Sequence, residues 1–289
     1  MKTEQHTFET TQTNVDAIIK HIESGVRETD RQVMFLSDFD YTLCRNYGFD
    51  VATNNRIPIL EQELIDAANY HTLAIATARR ANNPMTPLFW NSGLLAPDAP
   101  LIAENGGVLV TQHNGQLHYD DIIDADVSDG LKLAAEQLEH AKLDLPTNRQ
   151  LIVKLGRTML VARTQTANMH VSKSEQQDLA KQLILALDVP NFVVVDNGGS
   201  VTVQHKNINK ATGFQFYLKN QGIDQHAVYV VGLGDAPNDQ QIFEQAHTSI
   251  GFSKIVKALV DFNIDTQLVT ATDIFEGVRA SLGDRLYVS

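Results

Sequence analysis

Cysteine occurs once in the 289 residues, as Cys44. No intrachain disulfide, CxxC pair or thiolate cage can therefore form, and a reducing compartment fits that usage. Long apolar runs are also missing. Stretches such as Val228–Val231 fall far below the ~18 residues of a membrane span. Residues Met1 to Gly25 are polar with charges throughout and lack an apolar h-region, so no secretory signal is read there. Positive charge is scarce: 23 Lys and Arg face 35 Asp and Glu, a net charge of −12. A non-specific binder of nucleic acid or anionic membrane needs a basic face, and none is visible. The 10 histidines show no HxH or HExxH spacing, which argues against zinc. There is no GxGxxG, no P-loop, no internal repeat and no biased tract. The chain reads as soluble and cytoplasmic, its net charge says nothing against a small anionic substrate, and its oligomeric state is open.

What is present is ordinary globular composition, 43% hydrophobic and 20% charged. The length allows one large domain or two ordinary ones, with roughly three quarters of the unfolded surface buried. Val15, Ile18, Ile19 and Ile22 predict a helix over about 14–25, with Gly25 as its stop. Short apolar runs at Val33–Leu36, Thr72–Ala76, Leu101–Ala103 and Val228–Val231 each end in polar residues, as buried parallel strands do. Helices are expected around Ile59–Tyr70, Lys210–Asn220, Lys254–Phe262 and from Thr272, with one carrying Ile242, Phe243 and Ala246. A short strand is expected at Thr248–Gly251. Strands alternating with helices predict an α/β fold with a parallel sheet whose ligands bind at the carboxyl ends of the strands.

The pattern changes after Gly107. Three hairpins are expected: Val108–Val110 with Gln116–Tyr119, Gln150–Lys154 with Thr158–Ala162, and Phe192–Asp196 with Ser200–Gln204. Helices are expected over Ser128–Lys142 and after a capping box at Ser174 and Gln177. This predicts an inserted α+β domain over 110–200, between core segments 1–109 and 201–289.

Four clusters carry chemistry. Asp38-Phe39-Asp40 follows a buried strand, and in extended backbone both carboxylates point to one side. They repel unless a cation intervenes, and oxygen-only ligands favour Mg²⁺. A solvated turn or a helix cap is the plain alternative. Gly234-Asp235-Ala236-Pro237-Asn238-Asp239 also follows a buried strand and holds more acids than a cap needs. Thr77, followed by Arg79 and Arg80, offers a hydroxyl and turn amides to a phosphate oxygen. Lys210, after Asn209, offers a point cation, although most lysines are merely solvated.

In this order the clusters resemble the haloacid dehalogenase superfamily of phosphohydrolases. Its DxDx[T/V] loop, later Ser or Thr, Lys and GDxxND-type loop read here as Asp38 to Thr42, Thr77, Lys210 and Gly234 to Asp239. The resemblance covers roughly residues 33–283 and implies a Rossmann-like core, with the insert as a type C2 cap. Ile102 to Gly107 and Gly232 to Asp239 are similar to the branch of sucrose-phosphate and mannosyl-3-phosphoglycerate phosphatases and to the Cof-type group. Two positions depart from the pattern. Tyr41 stands where Gly is common, and Ala78 stands where Thr-Gly-Arg is common.

The resemblance implies an Mg²⁺-dependent phosphomonoester hydrolase. Asp38 would be the nucleophile, Asp40 the acid and base, and Thr77 and Lys210 the holders of the phosphoryl oxygens. Metal contacts would come from Asp38, the Asp40 backbone carbonyl and Asp235, with Asn238 and Asp239 orienting them. Arg79, Asn105, Gly106, Arg157 and Asn209 are candidate substrate contacts, and Lys154, Arg163, Asn197 and His205 candidate cap specificity residues. A phosphohexomutase of the same cap class, a Cof-like nucleotide or cofactor phosphatase and a non-catalytic sugar-phosphate sensor stay open as alternatives.

Overall fold

The computed structural model of the protein describes residues 2–50, 55–122, 126–145, 150–165, 173–196, 200–264 and 269–286. The chain opens with helix α1 (Lys2–Thr29) and the buried strand β1 (Gln32–Ser37). A small hairpin, β2 (Asn46–Asp50) and β3 (Asn55–Ile59), leads to α2 (Gln62–Ala68) and β4 (Leu73–Ala76). Then come α3 (Leu88–Asn91), β5 (Leu101–Ala103) and a hairpin of β6 (Val108–His113) with β7 (Gln116–Asp121). Next are α4 (Asp126–His140), β8 (Gln150–Leu155), β9 (Met159–Gln165), α5 (Lys173–Ala186), β10 (Phe192–Asp196) and β11 (Val201–His205). The chain ends with α6 (Lys210–Asn220), β12 (Val228–Gly234), α7 (Gln240–Gln245), β13 (Thr248–Gly251), β14 (Phe262–Asn263) and α8 (Ala271–Leu282).

The larger sheet has eight strands in the order β14-β13-β12-β1-β4-β5-β6-β7. Pairing is parallel from β14 to β5 and antiparallel from β5 to β7. Alternate residues of β1 explain its unbroken apolar run. Val33 and Phe35 enter a core with residues of α1, α2, α3 and α8, while Met34 and Leu36 enter the core on the opposite face with α6 and α7. Fully burying one such side chain contributes about 1.5–3 kcal/mol.

A second sheet, order β10-β11-β9-β8, is antiparallel throughout. One face buries Leu160, Ala162, Val201 and Val203 against Leu131 and Ala134 of α4 and Leu179 and Leu183 of α5. Sheet membership departs from the expected boundaries at 110 and 200. The hairpin β6–β7 hydrogen-bonds into the large sheet, and β11 pairs in the small one. Apolar alternation alone does not say which neighbour a strand will choose.

Two expectations are corrected. Helix α1 runs through Gly25 to Thr29. A Cβ on Gly25 would lie 2.6 Å from a ring carbon of Tyr229, so this glycine admits close helix–sheet packing instead of ending the helix. Ile22 and Val26 of this helix are fully buried in the large core. The helix expected over Lys254–Phe262 is a single turn, Lys254–Val256, followed by β14. Asp261 accepts hydrogen bonds from the backbone N and Oγ of Ser249, which ties this segment to β13. The hairpin β2–β3 was not among the expected elements, although Tyr47 with Phe49 and Ile57 with Ile59 alternate at strand spacing.

Candidate active site

Parallel register sets the ends of β12, β1, β4 and β5 side by side at one rim. Asp38 follows β1, Thr77 follows β4, Glu104 follows β5, and Asp235 follows β12. The Asp38 N–H donates to Leu233 O and the Thr77 N–H to Ile102 O, so ladder hydrogen bonds hold these residues at the rim.

Lys210 enters from the first turn of α6 and is 1% exposed. Its Nζ donates to Asp38 Oδ1 and to Asp239 Oδ1, both at 2.6 Å. Asp239 Oδ2 accepts the backbone N–H groups of Asp235 and Ala236, each at 2.9 Å. Asp235 Oδ1 accepts from Thr42 Oγ1 at 3.0 Å. Oxygens of Asp38, Asp235 and Asp239 lie within 4.8 Å of one another. Two of the three carboxylates thus hold the buried ammonium, and Asp235 stands beside them within reach of the charge of Arg45.

The electrostatics follow from that imbalance. Burial pushes the Asp38 carboxyl well above its ordinary range against the pull of Lys210, and the charges of Asp239, Asp235 and Asp40 add to the rise. Burial, then the charge of Asp239, pushes Asp235 up to about 6. Burial alone would lower the Lys210 ammonium, but Asp239 and Asp38 outweigh it and raise it. Excess buried negative charge on oxygen donors is the setting a hard divalent cation such as Mg²⁺ fits. Both oxygens of Asp239 are already engaged, which suits it to fixing the loop and Lys210. Asp38 and Asp235 each keep an oxygen that accepts no hydrogen bond among the described residues.

The expected pairing of the Asp38 and Asp40 carboxylates is not what the chain does. Strand β1 ends at Ser37, and Asp40 turns to other partners. Arg79 grips it with both arms, Nε to Oδ2 at 2.9 Å and Nη2 to Oδ1 at 2.5 Å, and Tyr47 Oη donates to Oδ1 at 2.7 Å. The Asp40 side chain therefore stands outside the acidic group of Asp38, Asp235 and Asp239. Arg79, read as a substrate contact, is first an Asp40 partner. Tyr41 has φ +65°, the left-handed region that favours glycine, so its departure from the usual Gly carries backbone strain. Ala78 has no positive φ and carries none.

Thr77 is fully buried, and its Oγ1 accepts from the Arg79 N–H at 3.2 Å. Asn238 is half-buried, next to Asp239. Asn209 caps α6: its Oδ1 accepts the Thr212 N–H at 3.0 Å, and Thr212 Oγ1 accepts the Asn209 N–H at 3.1 Å. Gly106 has φ +106°, and a Cβ there would sit 1.8 Å from Asn209 O. This close approach seats the loop after β5 against the turn that presents Lys210. Asn105 Nδ2 donates to Gln204 Oε1 at 2.8 Å, so its amide joins the rim to β11. Arg157 pairs with Asp121, Nε to Oδ1 at 2.6 Å and Nη2 to Oδ2 at 2.8 Å, and so links the small sheet to β7. His205 packs edge-on against Phe192. Asn197 lies outside the described residues.

Sequence reasoning assigned no role to Glu104, which is fully buried. Its Oε1 accepts the N–H groups of Ala81 and Arg157, and its Oε2 accepts the N–H and Oγ1 of Thr158. These four bonds join the loop after β4, the rim and the β8–β9 turn. An acid directly after a buried strand was the available signal. Tyr47 had no such signal, because its contact with Asp40 depends on the β2–β3 hairpin.

A sequence model of the haloacid dehalogenase-like hydrolases matches residues 158–268. No curated protein sequence matches the chain. Among solved structures, a HAD/COF-like hydrolase from Plasmodium vivax aligns with TM-score 0.61 and 18% identity, covering 90% of this chain and 99% of that one. The trehalose-6-phosphate phosphatase C-terminal domain of C. albicans aligns with TM-score 0.59 and 12% identity, covering 94% and 98%. The sucrose-phosphatase of Synechocystis, solved with sucrose and phosphate, aligns with TM-score 0.57 and 16% identity, covering 89% and 100%. At these identities the likeness is one of fold. Among the described residues no helix is long and apolar enough to cross a membrane. Residues 158–268 thus resemble the haloacid dehalogenase-like hydrolases in sequence, and the chain shares the fold of the aligned hydrolases over most of its length.

Proposed function

We propose that the protein is an Mg²⁺-dependent phosphomonoester hydrolase acting on a small phosphorylated metabolite, a sugar phosphate in the first instance, through an aspartyl-phosphate. The observation that carries this reading is the buried Asp38 carboxylate held at 2.6 Å by Lys210, beside Asp235 and two residues before Asp40. The names of the aligned sucrose and trehalose-6-phosphate phosphatases support the substrate class.

Bound Mg²⁺ would be held by the carboxylates of Asp38 and Asp235 with the Asp40 carbonyl, and would supply positive charge against the phosphoryl oxygens. A free Asp38 oxygen attacks phosphorus as the bond to the leaving oxygen breaks. Asp40, protonated, gives that oxygen its proton. Water then attacks the aspartyl-phosphate, Asp40 takes the water's proton, and inorganic phosphate leaves with Asp38 restored. Among the described residues Asp40 Oδ2 accepts only the Arg79 Nε–H, so it keeps a lone pair for the proton it carries. Thr77 and Lys210 hold the phosphoryl oxygens as charge shifts. The small sheet of β8 to β11 with α4 and α5 acts as the cap that covers the substrate and excludes water.

The test is phosphate release from a panel of phosphomonoesters with Mg²⁺ and with EDTA. The panel holds sucrose 6-phosphate, trehalose 6-phosphate, hexose phosphates, pyridoxal phosphate, flavin mononucleotide and p-nitrophenyl phosphate. Mg²⁺-dependent release is expected. No release from any of them, with Mg²⁺ binding shown by calorimetry, would remove the hydrolase reading.

A further inference from the structure

The small sheet has one face covered by α4 and α5 and one that carries no helix. Strand register decides which side chains share the second face. Lys154 pairs with Val161 and Ile152 with Arg163 between β8 and β9, and Val161 pairs with Thr202 and Met159 with Gln204 between β9 and β11. Cross-strand partners project to the same side, so Lys154, Arg163, Thr202 and Gln204 stand together. This face looks toward the catalytic rim, because Asn105 of the rim donates to Gln204 Oε1. Arg80, three residues after Thr77, reaches the same place, with its Nη1 donating to Leu155 O at 3.3 Å.

Three cations therefore meet beside the rim of a protein whose net charge is −12. Among the described residues, none of the three forms an ion pair with a carboxylate. Arg163 Nε is buried with no hydrogen-bond partner. Burial, followed by the charges of Arg163 and Arg80, lowers the Lys154 ammonium. Lys154 and Arg163 are diagonal neighbours across the strand pair, a spacing of roughly 7–8 Å at which like charges repel. Such an arrangement is unfavourable alone and favourable around an anion. It is also separate from the catalytic cation, since Lys210 pairs with Asp38 and Asp239.

We propose that Lys154 and Arg163, assisted by Arg80, form a second anion subsite, so that the preferred substrate bears a carboxylate or a second phosphoryl group on the part that leaves. This inference rests on the phosphatase reading above and narrows its substrate class. The face also carries Val161, Met159 and Ile152, so the subsite has apolar walls that strengthen a charge-assisted contact.

The experiment compares 6-phosphogluconate and fructose 1,6-bisphosphate with glucose 6-phosphate and fructose 6-phosphate. Both kcat/KM and calorimetric affinity are read for the wild type, Lys154→Gln, Lys154→Arg and Arg163→Gln. The two acidic probes separate a carboxylate-selective subsite from a phosphoryl-selective one. The wild type should favour at least one acidic probe over its neutral counterpart by about tenfold or more, the effect of one charge-assisted contact. Lys154→Gln and Arg163→Gln should each erase most of that preference through KM, while Lys154→Arg retains it. Equal handling of acidic and neutral probes by the wild type, or a preference unchanged in both Gln variants, overturns the subsite. Hydrolysis of p-nitrophenyl phosphate separates the two failures. If it is cleaved without any preference among the sugar phosphates, only the subsite falls. If nothing is cleaved, the hydrolase reading falls, and the calorimetric comparison still decides the subsite.

Discussion

The rim of the large sheet and the helix-free face of the small sheet are opposite in charge and alike in being unbalanced. At the rim, the Lys210 ammonium pairs with Asp38 and Asp239, and Asp235 stands beside them. On the small sheet, Lys154, Arg163 and Arg80 have no carboxylate partner among the described residues. Buried or half-buried charge without a partner is costly, so neither surface is explained by folding alone. A divalent cation balances the first, and an anionic substrate the second. Elsewhere the two sheets are joined by fully matched pairs, such as Arg157 with Asp121 and Glu104 with four donors.

The comparison can be broken most severely at Asp38. Asp38→Asn keeps the shape and removes the nucleophile, and turnover should fall by about 10⁴-fold or more. Steady-state phosphate release measures this; near-normal release would end the aspartyl-phosphate mechanism. Next is the lone cation. Lys210→Met leaves Asp38 and Asp239 buried without it, and should cost about 3–5 kcal/mol in urea unfolding without metal. A change below 1 kcal/mol, read from the same curves, would mean the rim does not depend on this charge.

Glu104→Ala removes four acceptor contacts and leaves buried donors unmet. A loss of about 3 kcal/mol is expected, with faster amide exchange at Arg157 and Thr158. Unchanged exchange there would show that the β8–β9 turn is held by other contacts.

The pH dependence sharpens the contrast further. Asp235 titrates at about 6 in the folded protein against an ordinary value of 3.8. Its folded-state value is raised, so the metal-free fold binds more protons than the unfolded chain between those values. This group's contribution to metal-free stability is therefore present in acid and lost as pH rises from about 4 through 6. Mg²⁺ needs the ionised form, so its affinity should rise over the same window with release of protons. Calorimetry with and without Mg²⁺ at pH 5 and 7 reads both effects. Equal Mg²⁺ affinity at the two values would dissociate Asp235 from the metal site.

The smallest effect belongs to Tyr41. Its φ of +65° predicts that Tyr41→Gly relieves strain worth about 1 kcal/mol, partly offset by the entropy of glycine and by the lost packing on Tyr47. A small rise in Tm is the expected result, and a clear fall would show that the Tyr41–Tyr47 contact outweighs the strain.

Much of this was legible in the chain. The parallel strands were visible because a strand covered on both faces must be apolar along its whole length, as β1 and β12 are. The helix Lys210–Asn220 was visible from its boundaries, since Asn209 caps and Gly222 with φ +65° follows. At the rim, residue types were visible but pairings were not. The carboxylates of Asp38 and Asp40 looked like a pair bridged by one cation, whereas Asp40 is held by Arg79 and Tyr47 and Asp38 by Lys210. Asn105, Asn209 and Arg157 looked free for substrate, yet each spends its side chain on an internal contact.

The sequence by itself determined the element types of the core and the list of chemical groups available at the strand ends. Both are local properties, set by periodicity and by which residue follows a buried run. Only the tertiary structure decided which strand pairs with which, that α1 packs through Gly25 onto Tyr229, and that Glu104 ties the two sheets together. It also decided that Lys154 and Arg163 share a face with the neighbours of Asn105. The reason is physical: a side chain's charge is written in one residue, but its partner is chosen by register and packing between segments far apart in the chain.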